Sequence, residues 1–113
     1  MDEQEAAMSS RPFMLTEDVV EMLMRLVMER VIDRTVACRF VTPWVVGDLP
    51  AERVAETGAQ TIHGLDVIRL GDGREAHPST PDDGQPFIVD HDELVRRCDR
   101  WLSVAGRTSG GER

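Results

Sequence analysis

Asp66 is the residue whose setting asks for a chemical explanation. Residues 60–70 read QTIHGLDVIRL. As a strand, their alternation places Ile62, Gly64, Asp66, Ile68 and Leu70 on one face, with Thr61, His63, Leu65, Val67 and Arg69 on the other. Asp66 is then an acid on an otherwise apolar face. Burial there favours the neutral carboxyl, raises its pKa and suits it to general acid or base work near neutrality. His63 is the nearest partner in sequence, and a bulge at Gly64 would turn it toward Asp66. Two readings without chemistry stay open: Asp66 lies near a sheet edge, or it pairs with Arg39.

The other reactive side chains carry less. His91 stands between Asp90 and Asp92, but neighbours on one helix cap do not converge on one ion, and His77 belongs to a loop. The chain has no CxxC, HxxxH or HExxH spacing, so no metal site is expected. Cys98 falls on the buried stripe of a helix, where a thiolate is disfavoured. Cys38 and Cys98 read as a reduced, buried pair behaving as small hydrophobes. Gly71–Gly73, within GDGRE, lacks the lysine of a phosphate loop and no helix follows it. Trp44 and Trp101 sit at positions that suit a core or the lining of a pocket. No organic cofactor is implied.

These residues depend on elements that the hydrophobic pattern outlines. Thr16 to Asp33 reads as a helix, capped by Thr16 and started by Glu17 and Asp18, with Val20, Leu23, Met24, Val27, Met28 and Val31 at helical spacing. Met22, Leu26 and Ile32 widen its apolar arc, so it is buried on most sides or lies at a subunit interface. A competing reading starts a strand at Leu26. Residues 35–46 (TVACRFVTPWVV) are rich in β-branched and aromatic types and read as a strand, with Pro43 at an edge, bulge or exit. Residues 49–57 suggest a short helix closed by Gly58. Residues 60–70 are the next strand, 71–73 a tight turn, 74–77 a return strand stopped by Pro78, and 87–89 a short strand. Asp90 with Glu93 forms a capping-box pattern, and Leu94, Val95, Cys98, Trp101, Leu102 and Ala105 form the stripe of a last helix.

Bulk properties bound the function. A chain of 113 residues suits one α+β domain over 13–105, flanked by loose tails at 1–12 and 106–113. The net charge is −8, with 13 arginines scattered and no lysine, so neither nucleic acid nor an anionic membrane surface is an expected partner. The longest near-apolar run, residues 19–28, is too short and too charged to span a bilayer. The first ten residues are polar and acidic rather than a signal peptide, so a cytoplasmic protein is expected.

Two segments within 33–77 resemble the SnoaL-like group of the NTF2-like superfamily. DRTVACRF (33–40) is similar to the turn entering a long central strand, and TIHGLDVIRLGDGRE (61–75) to a strand of the type V-H-G-I-D-I-x-R followed by a D-G-R turn. The resemblance implies a curved, mostly antiparallel sheet wrapped into a cone around an apolar cavity, here shortened or rearranged, with one N-terminal and one C-terminal helix. It also implies a cofactor-free cyclase, isomerase or epoxide hydrolase acting on an apolar, polyketide-like small molecule. Asp66 and His63 match motif positions near the cavity and are the expected catalytic pair, with Trp44, Phe40, Met28 and Arg39 as substrate contacts. The alternative is a non-catalytic module that dimerises or clamps a protein partner through the wide apolar helix, and a homodimer is expected on either reading.

Overall fold

The computed structural model describes residues 14–47, 49–79 and 85–107. The expected tail at 1–12 lies outside them, as do most of the expected tail at 106–113 and most of the loop before Pro86. The element order is α1 (Glu17–Met28), α2 (Arg34–Val46), α3 (Arg53–His63), β1 (Ile68–Arg69), β2 (Glu75–Ala76) and α4 (His91–Val104). The expected curved sheet is therefore corrected: four helices dominate the described residues, and the only sheet among them is the antiparallel pair β1–β2. No cone forms.

α1 and α4 follow their apolar spacing. The Thr16 side chain caps α1 by accepting from the Val19 amide at 3.3 Å, and the helix buries Val20, Leu23, Met24 and Val27. It ends at Met28, short of the predicted Asp33 and without passing into a strand, because Arg30 adopts a left-handed φ of 61° and the Val31 amide turns back to the Leu26 carbonyl. Asp90 caps α4 by accepting from the Glu93 amide at 2.8 Å, and Leu94, Cys98, Trp101 and Leu102 are buried. Arg107, assigned by its sequence to the loose tail, instead pairs with Glu17, Asp18 and Glu21 of α1.

α2 overturns the strand expected at 35–46. Its β-branched residues suit a strand by propensity, but the buried set is Arg34, Thr35, Ala37, Cys38, Val41 and Trp44, a helical repeat. Asp33 starts it, accepting from the Thr35 amide at 2.7 Å. Pro43 is tolerated one turn from the end, where it removes a single ladder bond. α3 overturns the first half of the second expected strand. It runs through Gly58 instead of stopping there, because the glycine lets three helices meet: a Cβ at Gly58 would lie 2.5 Å from Val20 Cγ1 and 2.7 Å from the Trp101 ring.

α3 is the central element, touching α1, α2 and α4, with α2 laid along it most extensively. The core joins Val20, Met24, Val41, Ile62, Leu65, Leu94, Trp101 and Leu102. Burying a side chain of this size stabilises by roughly 1.5–3 kcal/mol before entropy is counted. Trp101 keeps its indole N–H satisfied inside, donating to the Val54 carbonyl at 3.0 Å and to Thr57 Oγ1 at 3.1 Å.

The ribbon pairs Ile68 with Ala76 and Arg69 with Glu75, and Gly73 supplies the positive φ of the turn, as residues 71–73 predict. Residues 87–89 contribute only a single bridge, Phe87 to Ile68. No described helix is long and apolar enough to cross a membrane.

Candidate functional site

α3 ends at His63 and the chain turns sharply through residues 64–66 before β1. That turn, not a strand face, positions Asp66, which is 1% exposed. Its carboxylate oxygen Oδ1 lies 2.5 Å from Nδ1 of His77, a half-exposed ring just after β2. The Cys38 thiol, on the inner side of α2, stands 3.8 Å from the same His77 nitrogen and donates to the His63 carbonyl at 3.4 Å. The His63 ring faces that of His77 with centroids 4.6 Å apart. Three segments distant in sequence, at Cys38, at His63 to Asp66 and at His77, thus bring one thiol, two imidazoles and one carboxylate together.

The electrostatics follow from burial. Desolvation, and then the adjacent Asp66 charge, push the Cys38 thiol up to about 12. His63 is shifted down, chiefly by desolvation and then by repulsion from His77, while Asp66 opposes the shift. Both effects keep the site uncharged on sulfur and on His63 at neutral pH.

Nucleophilic catalysis by Cys38 does not suit this arrangement. A Cys–His–Asp relay uses opposite nitrogens of the imidazole for thiol and carboxylate. Here both approach Nδ1 of His77, and the thiol is held in its protonated form. The donor set suits a metal better. Ligand atoms of Cys38, His63 and His77 all lie within 4.8 Å of one another.

The residues expected at the site divide. Asp66 and His63 do belong to one cluster, but on a turn and a helix end rather than on opposite faces of a strand. Arg39 is not the partner of Asp66; it donates to the carbonyls of Pro78 and Ser79, holding the chain just past His77. Phe40 is exposed and stacks on the buried Trp44 with ring centres 5.8 Å apart. Met28 ends α1, where its carbonyl accepts from His91 Nε2 at 3.0 Å. A cleft of about 310 Å³ between Val27, Arg34, Phe87 and Leu94, and another of about 580 Å³ beside Trp101 and Arg97, are lined by none of these six. In the first, the buried Arg34 stacks on Phe87 at 4.1 Å and donates to the carbonyls of Leu65 and Val89, locking the Asp66 turn to the segment before α4.

Cys38 and His77 were missed as site residues. Their separations from His63, 25 and 14 residues, match no ligand motif. The available signal was scarcity: the chain has three histidines, and two of them meet beside its buried aspartate. Comparison of the chain with protein-family models, with curated proteins and with solved structures finds no match.

Proposed function

We propose that this chain is a small helical metal-binding domain that holds one divalent ion of the zinc class at Cys38, His63 and His77. The observation that carries the reading is the convergence of these three donors within 4.8 Å, with the buried Asp66 behind His77. One thiolate and two imidazoles suit a borderline-soft ion rather than calcium or magnesium, which take oxygen ligands. Asp66 bonds Nδ1 of His77, so this reading puts the ion on Nε2 of that ring and Asp66 in the outer shell, where it fixes the ring orientation and tautomer and raises the basicity of His77, as carboxylates commonly do for metal-bound histidines. The Cys38 proton, now shared with the His63 carbonyl, leaves as the ion binds. Acid–base turnover of an apolar substrate at Asp66 has less support, because that carboxyl is fully buried, bonded to His77 and lines neither cleft.

The test is titration of the full chain, metal-free and reduced, with zinc by calorimetry and with cobalt by absorption. One ion per chain at micromolar affinity or tighter is expected, with a thiolate-to-cobalt charge-transfer band that disappears in Cys38→Ala. Binding weaker than micromolar, or binding unchanged in Cys38→Ala and His63→Ala, overturns the reading.

A second reading has its own observation. Val36 and Phe40, one turn apart on α2, are 45% and 44% exposed, and this pair supports self-association. Light scattering at micromolar concentration tests it, with a monomer counting against it.

A further inference from the structure

We infer that metal at this site acts as a clamp on the β1–β2 ribbon, so that occupancy governs whether residues 68–79 stay docked on the helices; this rests on the metal-binding reading above. Two of the three ligands belong to the helical body, Cys38 in α2 and His63 at the end of α3, whereas His77 belongs to the outgoing arm of the ribbon. An ion held by all three is a cross-link between the two parts.

The ribbon has little else to hold it. No helix backbone packs against either strand, and residues 71–75 are exposed. Its ion pairs, Arg69 with Glu75 and Arg74 with Asp72, are internal. The incoming arm is anchored by the buried Ile68 and by backbone bonds, Ile88 donating to Val67 at 3.0 Å and Arg69 to Pro86 at 3.4 Å. The outgoing arm is anchored by buried Pro78, by Arg39 on the Pro78 and Ser79 carbonyls, and by His77 on Asp66 and Cys38. Of these attachments, the one at His77 runs through a proposed ligand, and Arg39 adjoins another, Cys38. Regions with few buried contacts and exposed backbone bonds open locally at low cost, and an ion that binds only the docked state suppresses that opening by mass action.

Hydrogen exchange of the full chain, with zinc and with a chelator, tests the clamp. At zinc 100 times its dissociation constant, exchange of the Arg69 and Ile88 amides, whose bonds join the ribbon arm to the segment before α4, is expected to slow by about 100-fold. A chain that binds one zinc by calorimetry yet exchanges these amides at its metal-free rate overturns the clamp and leaves the metal site standing. A chain that binds no zinc overturns the site itself. Arg39→Met provides a second check, because it loosens the outgoing arm without removing a ligand. Its ribbon should exchange faster than wild type in chelator and recover in zinc; a ribbon that stays fast with zinc bound overturns the clamp.

Discussion

The core around Leu94 and the cluster around Asp66 share their helices but are built by opposite means. The core is made of apolar side chains from α1 to α4 that repeat every three or four residues and meet through area alone. The cluster is made of polar residues from three segments, each placed by the end or inner side of an element rather than by a repeat. The core tolerates exchange among hydrophobes of similar volume. The cluster depends on atom positions within a few tenths of an ångström. Damage to the first should lower stability and leave chemistry intact in molecules that fold; damage to the second should do the reverse.

Leu94→Ala is the strongest test of the core side. Leu94 is 1% exposed, and its truncation is expected to cost about 3 kcal/mol in urea unfolding, within the usual 2–5 kcal/mol. Zinc affinity of the folded fraction should stay within twofold. Gly58→Ala comes next. The added methyl meets Val20 and Trp101 below 3 Å, and overpacking of about 1–3 kcal/mol outweighs the roughly 1 kcal/mol that alanine returns to a helix. A stabilised Gly58→Ala variant would show that the three helices have room to part. Asp66→Asn addresses the cluster with little change of volume: zinc affinity should fall about 10- to 100-fold, while the metal-free melting temperature moves much less than in Leu94→Ala. Equal losses of stability in the two variants would erase the contrast between the regions.

Two smaller effects sharpen it. Asp90→Ala removes the α4 cap and should cost about 1 kcal/mol, read from the urea midpoint. Glu21 is held below its ordinary 4.5, first by Arg107 and then by Arg25. A depressed folded-state value stabilises above 4.5 and is lost as pH falls through the folded value. Because all three side chains are about a quarter exposed, Glu21→Gln should cost only a few tenths of a kcal/mol near neutrality. Its difference from wild type should vanish well below pH 4.5. A difference that persists there would assign the effect to packing.

How far each region was legible follows the same division. The helices at Glu17–Met28 and His91–Val104 could be read because amphipathic period, N-cap and acidic first turn all agree. α2 could not, because TVACRFVTPWVV has the composition of a strand, while its burial, decided by packing along α3, follows a helical repeat. α3 was cut short at Gly58, since glycine is usually a stop and only the Val20–Trp101 contact explains it inside a helix. The likeness to a SnoaL-like sheet drew on residues 33–40, which enter α2, and on residues 61–75, which leave α3 for β1 and its turn, and the curved sheet it implied does not form among the described residues.

By itself, then, the sequence determined a small acidic domain, the start of an amphipathic helix at Glu17, a second amphipathic helix at His91–Val104 and a turn at 71–73. Those features are local, set by periodicity, capping and glycine φ. The tertiary structure alone decided what Asp66 meets. Its partner His77 lies 11 residues away and Cys38 another 39 from His77, joined by a helix end and a ribbon whose relative placement no local pattern encodes.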